Sequence, residues 1–138
     1  MASVNPNLDL MRSIYAAIGR GDYSSAEWAD PKIEYVVADG PDPGSRTGLT
    51  GMAAQLRTFL SAWEGFRAEA EEYRELDAER VLVLTRLSGR GKTSGVQIGD
   101  RGAELFDIHG GKVTRIVVYF DRDRALADLG LTPETGSA

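Results

Sequence analysis

Val81-Leu82-Val83-Leu84-Thr85-Arg86-Leu87 and Val113-Thr114-Arg115-Ile116-Val117-Val118-Tyr119-Phe120 are the two stretches that decide the fold. Both are rich in β-branched residues and are apolar at nearly every position, which is typical of strands covered on both faces. Residues 94–108 lie between them and place apolar side chains on one parity, and His109-Gly110-Gly111 forms a tight turn. The pattern therefore predicts an antiparallel meander of three strands.

The segments upstream of the meander predict two more strands. Residues 66–77 have the composition of a helix, but apolar and charged residues alternate from Phe66 onward, as in an edge strand. We interpret this segment as a strand. Ile33, Tyr35 and Val37 also alternate with their neighbours, and this earlier strand runs into a Gly-Pro loop at residues 40–44.

Helices are predicted at both ends of the chain and in its middle. Asn5-Pro6 begins a helix whose apolar residues recur every three or four positions until residues 19–21. Asp22 can cap a short second helix that runs through Trp28. A third helix opens at Thr50 or Gly51, carries the stripe Met52, Leu56, Phe59, Leu60 and Trp63, and ends at Gly65.

Asp121 caps a final short helix, which Gly130 terminates, and residues 132–138 form a frayed tail. The length of 138 residues fits one domain spanning 1–138, with a core of about 7–131. The predicted fold class is α+β: a cone-shaped, curved antiparallel (mixed) sheet wrapped around three N-terminal helices, with a short C-terminal helix.

Composition and charge exclude several functions. The content of 42% hydrophobic and 27% charged residues is that of a globular protein, and cysteine is absent. A net charge of −5, with 16 basic residues interleaved among 21 acidic ones, argues against nucleic-acid binding. The N-terminus shows no secretory signal and no segment has membrane-spanning length, so we expect a cytoplasmic protein that does not bind membranes. A single histidine and the absence of phosphate-binding motifs predict no metal and no cofactor.

Several short motifs resemble the SnoaL-like proteins of the nuclear transport factor 2 superfamily, which has a ketosteroid isomerase-like fold. They are Ile14-Tyr15-Ala16-Ala17 with Arg20-Gly21-Asp22-Tyr23, Asp30-Pro31 before Ile33-Glu34-Tyr35, Gly110-Gly111-Lys112-Val113, and Tyr119-Phe120-Asp121 before an Ala-Leu helix. The resemblance covers about residues 7–131. It implies a pocket for a small apolar molecule and a homodimer formed through the sheet, but relatives on this fold have many functions.

The catalytic residues of these relatives can be placed on positions of this sequence, and the comparison limits which of their reactions the resemblance implies. The ketosteroid isomerase base falls on Tyr35 and the oxyanion tyrosine on Ile14, with Tyr15 one residue away. The aspartate of limonene epoxide hydrolases falls on Val118. The resemblance therefore implies neither of those two reactions in its known form. Glu104, in contrast, occupies the position of the oxyanion-hole acid.

Glu104 shares strand parity with Phe106 and Ile108, so in a regular strand it points into the apolar interior, where desolvation raises a carboxyl pKa. Alternatively, Gly99 and Gly102 introduce a bulge that turns Glu104 into solvent. Both interpretations stay open on the sequence.

Two sets of candidate site residues follow. The catalytic set is Glu104 with Tyr15 and Arg86 assisting, where Arg86 can bind an anionic group or pair with Glu104, or instead lie at the sheet surface. The residues predicted to contact substrate are Tyr35, Trp63, Phe59, Phe106, Ile116, Val118 and Phe120. His109 is interpreted as a turn residue rather than as a base.

Three classes of function are compatible with these features. The first is a cofactor-independent isomerase, cyclase or dehydratase that transfers protons on an apolar carbonyl compound. The second is a non-catalytic binding protein for a small apolar metabolite. The third is an interaction module that uses the open sheet face. A buried ionisable residue beside an open pocket favours the first class, and a wholly apolar pocket favours the second.

Overall fold

A curved, mixed sheet forms the body of the protein in this computed structural model, which describes residues 6–20, 27–39, 43–93, 95 and 97–132, with the backbone alone at 97–100. Within those residues the strands are β1 (Ala29–Val37), β2 (Gly44–Thr47), β3 (Trp63–Asp77), β4 (Arg80–Gly91), β5 (Gln97–His109) and β6 (Lys112–Tyr119). The helices are α1 (Pro6–Gly19), α2 (Gly48–Ser61) and α3 (Arg122–Leu129). The predicted α+β class is confirmed.

The strand order is β2-β1-β6-β5-β4-β3, and β1 and β6 are the parallel pair. The predicted meander is present as β4, β5 and β6, joined antiparallel. Gly110 and Gly111 connect β5 to β6 with φ angles of 59° and 79°. Positive φ at both central residues is the geometry of a two-residue hairpin turn, and glycine adopts it without strain.

Both faces of the meander are buried, which explains why its strands are apolar at consecutive positions. On the inner face, Val83 and Phe106 join a cluster with Met11 and Ile14 of α1. On the outer face, residues such as Leu82, Leu105 and Val117 pack against Ala125 and Leu126 of α3. The sheet is therefore the layer between two small cores.

The caps predicted for the last helix are both present. The Asp121 carboxylate accepts hydrogen bonds from the backbone N–H groups of Asp123 and Arg124. Gly130 ends α3 in the left-handed conformation, with φ of 67°. None of the described helices has the length and apolar character needed to cross a membrane.

The third predicted helix is displaced from its expected bounds. It begins at Gly48, before Thr50, and Trp63 is the first residue of β3 rather than part of the helix. Gly65, predicted to end the helix, lies within β3 with φ of 59°. The reason is tertiary pairing: Lys92 N–H donates to the Ala62 carbonyl (3.0 Å), and Trp63 pairs with Gly91.

Segment 66–77 is a strand, as the alternation predicted, and β3 lies at the edge of the sheet. Strand β2 was not predicted, because its sequence Gly-Ser-Arg-Thr is exposed throughout and carries no apolar alternation. The predicted short helix from Asp22 falls largely on residues 21–26, which lie outside the described residues. Its last residue, Trp28, is in a turn, and its carbonyl accepts from Val113 N–H (2.8 Å).

Gly102 generates a prediction about packing within the sheet. A Cβ atom at this position would lie 2.6 Å from the Tyr119 carbonyl oxygen and 2.9 Å from Leu87 Cδ1. A backbone oxygen in a paired strand cannot move away freely, so Gly102→Ala should lower the free energy of unfolding by roughly 1–3 kcal/mol. Urea denaturation measures this change.

The matched control is Gly19→Ala, because an added Cβ meets no heavy atom within 4 Å beyond its chain neighbours and the backbone of its own helix. We expect that variant to stay within about 0.5 kcal/mol of the wild type or to gain slightly from helix propensity. Equal stability of the two variants would contradict the close approach at Gly102.

Candidate functional site

A cavity of about 260 Å³ lies between the inner face of the sheet and the C-terminal half of α2. Its walls are mostly aliphatic and aromatic, and its polar side chains are few. The lining residues are Ile18, Tyr35, Val37, Gln55, Leu56, Thr58, Phe59, Leu60, Ala62, Trp63, Phe66, Ala68, Thr85, Leu87, Glu104, Val118, Tyr119 and Phe120. Among the described residues that line it there is no arginine, lysine or histidine, so this part of the lining suits a neutral ligand better than an anionic one.

One wall of the cavity is a cluster of aromatic rings centred on Phe59 of α2. Phe66 meets it edge-on at a ring-centroid distance of 4.8 Å, and Phe120 and Trp63 lie at 5.5 Å and 6.1 Å. The Asp39 carboxylate holds the backbone N–H of Phe120 at 2.6 Å, which fixes the end of β6 beside the end of β1. The wall is therefore assembled from three elements and does not depend on one loop.

Glu104 is the one acidic side chain among the described residues that line this cavity. β4 and β5 pair without a break from Arg90↔Gln97 to Arg80↔Asp107, so no bulge interrupts the alternation before Glu104. Of the two interpretations of the sequence, the structure supports the inward one. The side chain is half-buried, since protein encloses it except on the side that opens to the cavity.

Tyr15, which does not line the cavity, fixes the orientation of the Glu104 carboxyl group. Its hydroxyl donates a hydrogen bond to Glu104 Oε2, while Glu104 Oε1 has no partner among the described residues. The Tyr15 ring is held edge-on by Phe106 (6.2 Å) and Tyr73 (6.3 Å). One carboxyl oxygen is thus anchored, and the other is available to a ligand.

Burial raises the pKa of Glu104 above that of an ordinary glutamate, and the hydrogen bond from Tyr15 partly opposes the shift. The cause is that the apolar surroundings solvate the charged form poorly, whereas a donor stabilises it. A carboxyl group whose pKa is closer to neutrality can both accept and return a proton.

Tyr35 of β1 also lines the cavity. Burial, reinforced by the Glu104 carboxylate, raises the pKa of Tyr35 well above its ordinary value. The phenol therefore stays neutral and acts as a hydrogen-bond donor rather than as an acid. Its hydroxyl has no partner among the described residues, which leaves it free for a ligand oxygen.

On the outer face of the sheet, Arg122 holds the two strands that form the cavity floor. Its guanidinium donates to the carbonyl of Thr85 (2.6 Å), to that of Gly102 (3.2 Å) and to Glu71 Oε1 (2.5 Å). Hydrogen bonds from Arg122 and then from Arg86 lower the pKa of Glu71. The pairing keeps the backbone of both strands in register opposite the cavity.

The structure brings together only part of the predicted site. Glu104, Tyr35, Phe59, Trp63, Val118 and Phe120 line the cavity, and Tyr15 lies directly behind Glu104. Phe106 and Ile116 are instead packed in the inner core and do not line it.

The placement of Arg86 near the substrate was wrong. Arg86 is 64% exposed on the outer face and pairs with Glu71 (3.1 Å), because it shares parity with Leu82 and Leu84, which face outward. His109 ends β5 beside its turn and pairs with Glu79 (2.6 Å), away from the cavity lining. No cluster of potential metal ligands occurs among the described residues.

Sequence reasoning missed Thr85, Gln55 and Arg122. Thr85 shares parity with Val81 and Val83, and this signal could have placed it on the inner face. Gln55 lies one residue before Leu56 of the apolar stripe, so it borders the buried face of α2. Arg122 carried no sequence signal, because its contacts come from strands distant in sequence.

A curved mixed sheet that encloses a cavity beneath N-terminal helices defines the nuclear transport factor 2-like class. Within that class, the chain belongs to the SnoaL-like domain family, whose model matches residues 11–116. The predicted family is thereby confirmed. No curated protein shows a significant match.

Solved structures share this fold at low sequence identity. A nuclear transport factor 2-like protein of unknown function from Burkholderia pseudomallei is 18% identical, covers 92% of this chain and 97% of its own, and has a TM-score of 0.74. TerC, co-crystallised with polyporic acid, is 22% identical, with 90% and 97% covered and a TM-score of 0.71. A candidate polyketide cyclase from Xanthomonas campestris is 19% identical, with 88% and 95% covered and a TM-score of 0.69.

The raised pKa of Glu104 predicts how its replacement affects stability. In the wild type the folded state binds the Glu104 proton more tightly than the unfolded state does, so this group favours folding at acid pH. This contribution to the free energy of unfolding is lost as the pH rises from the ordinary glutamate pKa of the unfolded state through the raised pKa of the folded state. Glu104→Gln removes the titration but keeps an acceptor for Tyr15. The variant should therefore gain stability relative to the wild type as pH rises, as measured by urea unfolding at several pH values.

Glu69→Gln is the control, since Glu69 is 63% exposed on β3 and does not line the cavity. A relative stability of Glu104→Gln that stays constant or falls with rising pH would show that Glu104 is solvated in the folded protein.

Proposed function

We propose that the protein is a cofactor-independent enzyme that moves a proton on a small, apolar carbonyl compound, in an isomerisation, cyclisation or dehydration. The observation that carries this proposal is a carboxyl group with one anchored and one free oxygen, facing a cavity that is otherwise mainly apolar. Perturbed ionisable groups in clefts are over-represented at catalytic sites.

The common step would be proton abstraction beside a carbonyl. The free oxygen of the Glu104 carboxylate takes a proton from the carbon next to the carbonyl, and the C–H electrons move onto the carbonyl oxygen to form an enolate. Tyr35 donates a hydrogen bond to that oxygen and stabilises its charge. Glu104 then returns the proton to a different atom of the substrate, so no external oxidant or reductant is needed.

Tyr15 would act through Glu104 and would not touch the substrate. It does not line the cavity, and its hydroxyl reaches the carboxyl oxygen on the side away from the free one. Its hydrogen bond lowers the pKa of Glu104 against the effect of burial, which keeps more of the carboxylate form present at neutral pH. Tyr15 is thus a positioning residue.

The family membership and the solved structures support a small-molecule role. One similar structure is that of a candidate polyketide cyclase, and TerC was co-crystallised with polyporic acid. These proteins are only about one-fifth identical to this chain. They support the proposal that the cavity binds a small molecule. The proposed reaction is inferred from Glu104 and Tyr35 of this chain.

A binding protein without catalysis is the second candidate, and the extent of the apolar aromatic wall favours it. An interaction module has less support, because among the described residues Leu49 is the only large hydrophobic side chain that is exposed. Charged side chains such as Glu69 and Arg86 are exposed on the outer face of β3 and β4. Dimerisation through the sheet and a cytoplasmic location remain predictions.

The proposal predicts exchange of carbon-bound protons on a simple probe. 2-Tetralone is a small, neutral, mostly apolar ketone with exchangeable protons beside its carbonyl. Wild-type protein in D₂O should bind it and accelerate deuterium incorporation over buffer, and Glu104→Gln should lose most of this acceleration, by about 10²–10⁴-fold. Proton NMR measures both binding and exchange, and Glu69→Gln is the control that should retain activity.

Each outcome decides between the candidates. Acceleration that depends on Glu104 supports proton transfer. Binding in the cavity with equal exchange in wild type and Glu104→Gln would remove Glu104 from catalysis and leave the binding protein. Failure of 2-tetralone to perturb the NMR signals of cavity residues would contradict the assignment of small apolar ketones as ligands.

The positioning role of Tyr15 predicts a shift in the pH profile of that exchange. Exchange requires the Glu104 carboxylate, so its rate rises with pH through the pKa of Glu104. Tyr15→Phe removes the hydrogen bond that lowers this pKa, so the midpoint should move to higher pH. Tyr73→Phe is the matched control, because Tyr73 contacts the Tyr15 ring but does not bond to Glu104. A midpoint that stays in place or falls in Tyr15→Phe would show that Tyr15 does not act through Glu104.

A further inference from the structure

We propose that Thr85 is a second ligand-contacting residue of the cavity, and that the ligand carries a second oxygen, a hydroxyl or another carbonyl, positioned to hydrogen-bond with it. This inference rests on the proposed function, since it describes the substrate of the same site. It concerns a residue that the proton transfer at Glu104 does not use.

Thr85 is a polar residue in an almost completely buried position. It is 1% exposed, and no other polar or charged residue among those described is buried. Its backbone carbonyl accepts from Arg122, but its hydroxyl has no hydrogen-bond partner among the described residues. Among the described residues, every side-chain oxygen or nitrogen that is fully buried has a hydrogen-bond partner. The Thr85 hydroxyl has no partner, so it must belong to the small exposed area of this residue. Thr85 lines the cavity, so we infer that this hydroxyl faces it.

Strand pairing places this hydroxyl near the reactive carboxyl. Thr85 pairs with Gly102 and Val83 pairs with Glu104, so Thr85 and Glu104 are diagonal neighbours on the same face of adjacent strands. Such neighbours lie about 7–8 Å apart. Gly102 lies opposite Thr85, and a Cβ there would lie 3.1 Å from Thr85 Oγ1, so the absence of a side chain at this position leaves the hydroxyl uncrowded.

The energetic consequence is selectivity for oxygen-bearing ligands. A purely apolar ligand that fills the cavity displaces water from the hydroxyl of Thr85 and leaves it unpaired, which opposes binding. A ligand with a hydroxyl or carbonyl at that point restores the hydrogen bond. Polar groups buried in a site discriminate strongly against analogues that cannot satisfy them. Thr58 also borders the cavity, but it is an exposed residue, so it does not impose the same cost of an unpaired buried hydroxyl.

The test compares 2-tetralone with its 6-, 7- and 8-hydroxy derivatives, a set of isomers that carry one added oxygen at different distances from the ketone. Dissociation constants are measured by NMR titration for the wild type, Thr85→Val and Thr85→Ser. Valine keeps the shape of the side chain without its hydroxyl, and serine keeps the hydroxyl. We expect at least one isomer to bind the wild type roughly three- to tenfold more tightly than 2-tetralone, the effect of one net hydrogen bond.

Thr85→Val should abolish this preference and should bind 2-tetralone at least as tightly as the wild type does, whereas Thr85→Ser should retain the preference. The proposal is overturned if no isomer gains affinity for the wild type, or if the gain survives in Thr85→Val. A purely structural role for Thr85 would change the affinity for all four ketones in parallel. The preference is read from binding alone, so its failure is distinct from a failure of Glu104-dependent exchange.

Discussion

The unbroken pairing of β4 with β5 is the constraint on which the site depends. Successive side chains in a strand point to opposite faces, so a single extra residue between Gln97 and Glu104 would turn the carboxyl away from the cavity. The register keeps Glu104 opposite Val83 and Thr85 opposite Gly102. Both polar groups of the cavity floor follow from this one pairing. The hydrogen bonds of Arg122 to the carbonyls of Thr85 and Gly102 stabilise it from the outer face.

The cavity then sets the chemistry of the groups that this register directs inward. Its walls are apolar, so they disfavour the Glu104 carboxylate, and the hydroxyl of Tyr15 restores part of the lost solvation. The same desolvation keeps the phenol of Tyr35 protonated. The result is a carboxyl group with a neutral hydrogen-bond donor nearby, and the described residues that line the cavity include no cationic side chain. Under the proposed function, this combination favours neutral carbonyl compounds over phosphates or carboxylates.

Much of the architecture was predictable because it is encoded locally. Strands apolar on both parities indicated a sheet with two covered faces, and Asp121 and Gly130 indicated the ends of α3. The bounds of α2 were not predictable, since Trp63 is drawn into β3 by pairing with Gly91, far along the chain. The face of Glu104 depended on whether glycines in β5 form a bulge, which local sequence does not decide. Arg86 was misplaced although its parity with Leu82 was known, because the outer face of β4 is itself apolar and covered by α3.

The most direct test of this account is a carbon-13 NMR titration of the Glu104 side-chain carboxyl in the wild-type protein, with the signal assigned by its loss in Glu104→Gln. A desolvated carboxyl beside the cavity predicts a midpoint above that of ordinary glutamates, with Tyr15 signals shifting in the same transition. A midpoint at or below the ordinary glutamate value would place Glu104 in water or in an ion pair, and would contradict the claim that it is a buried acid-base group.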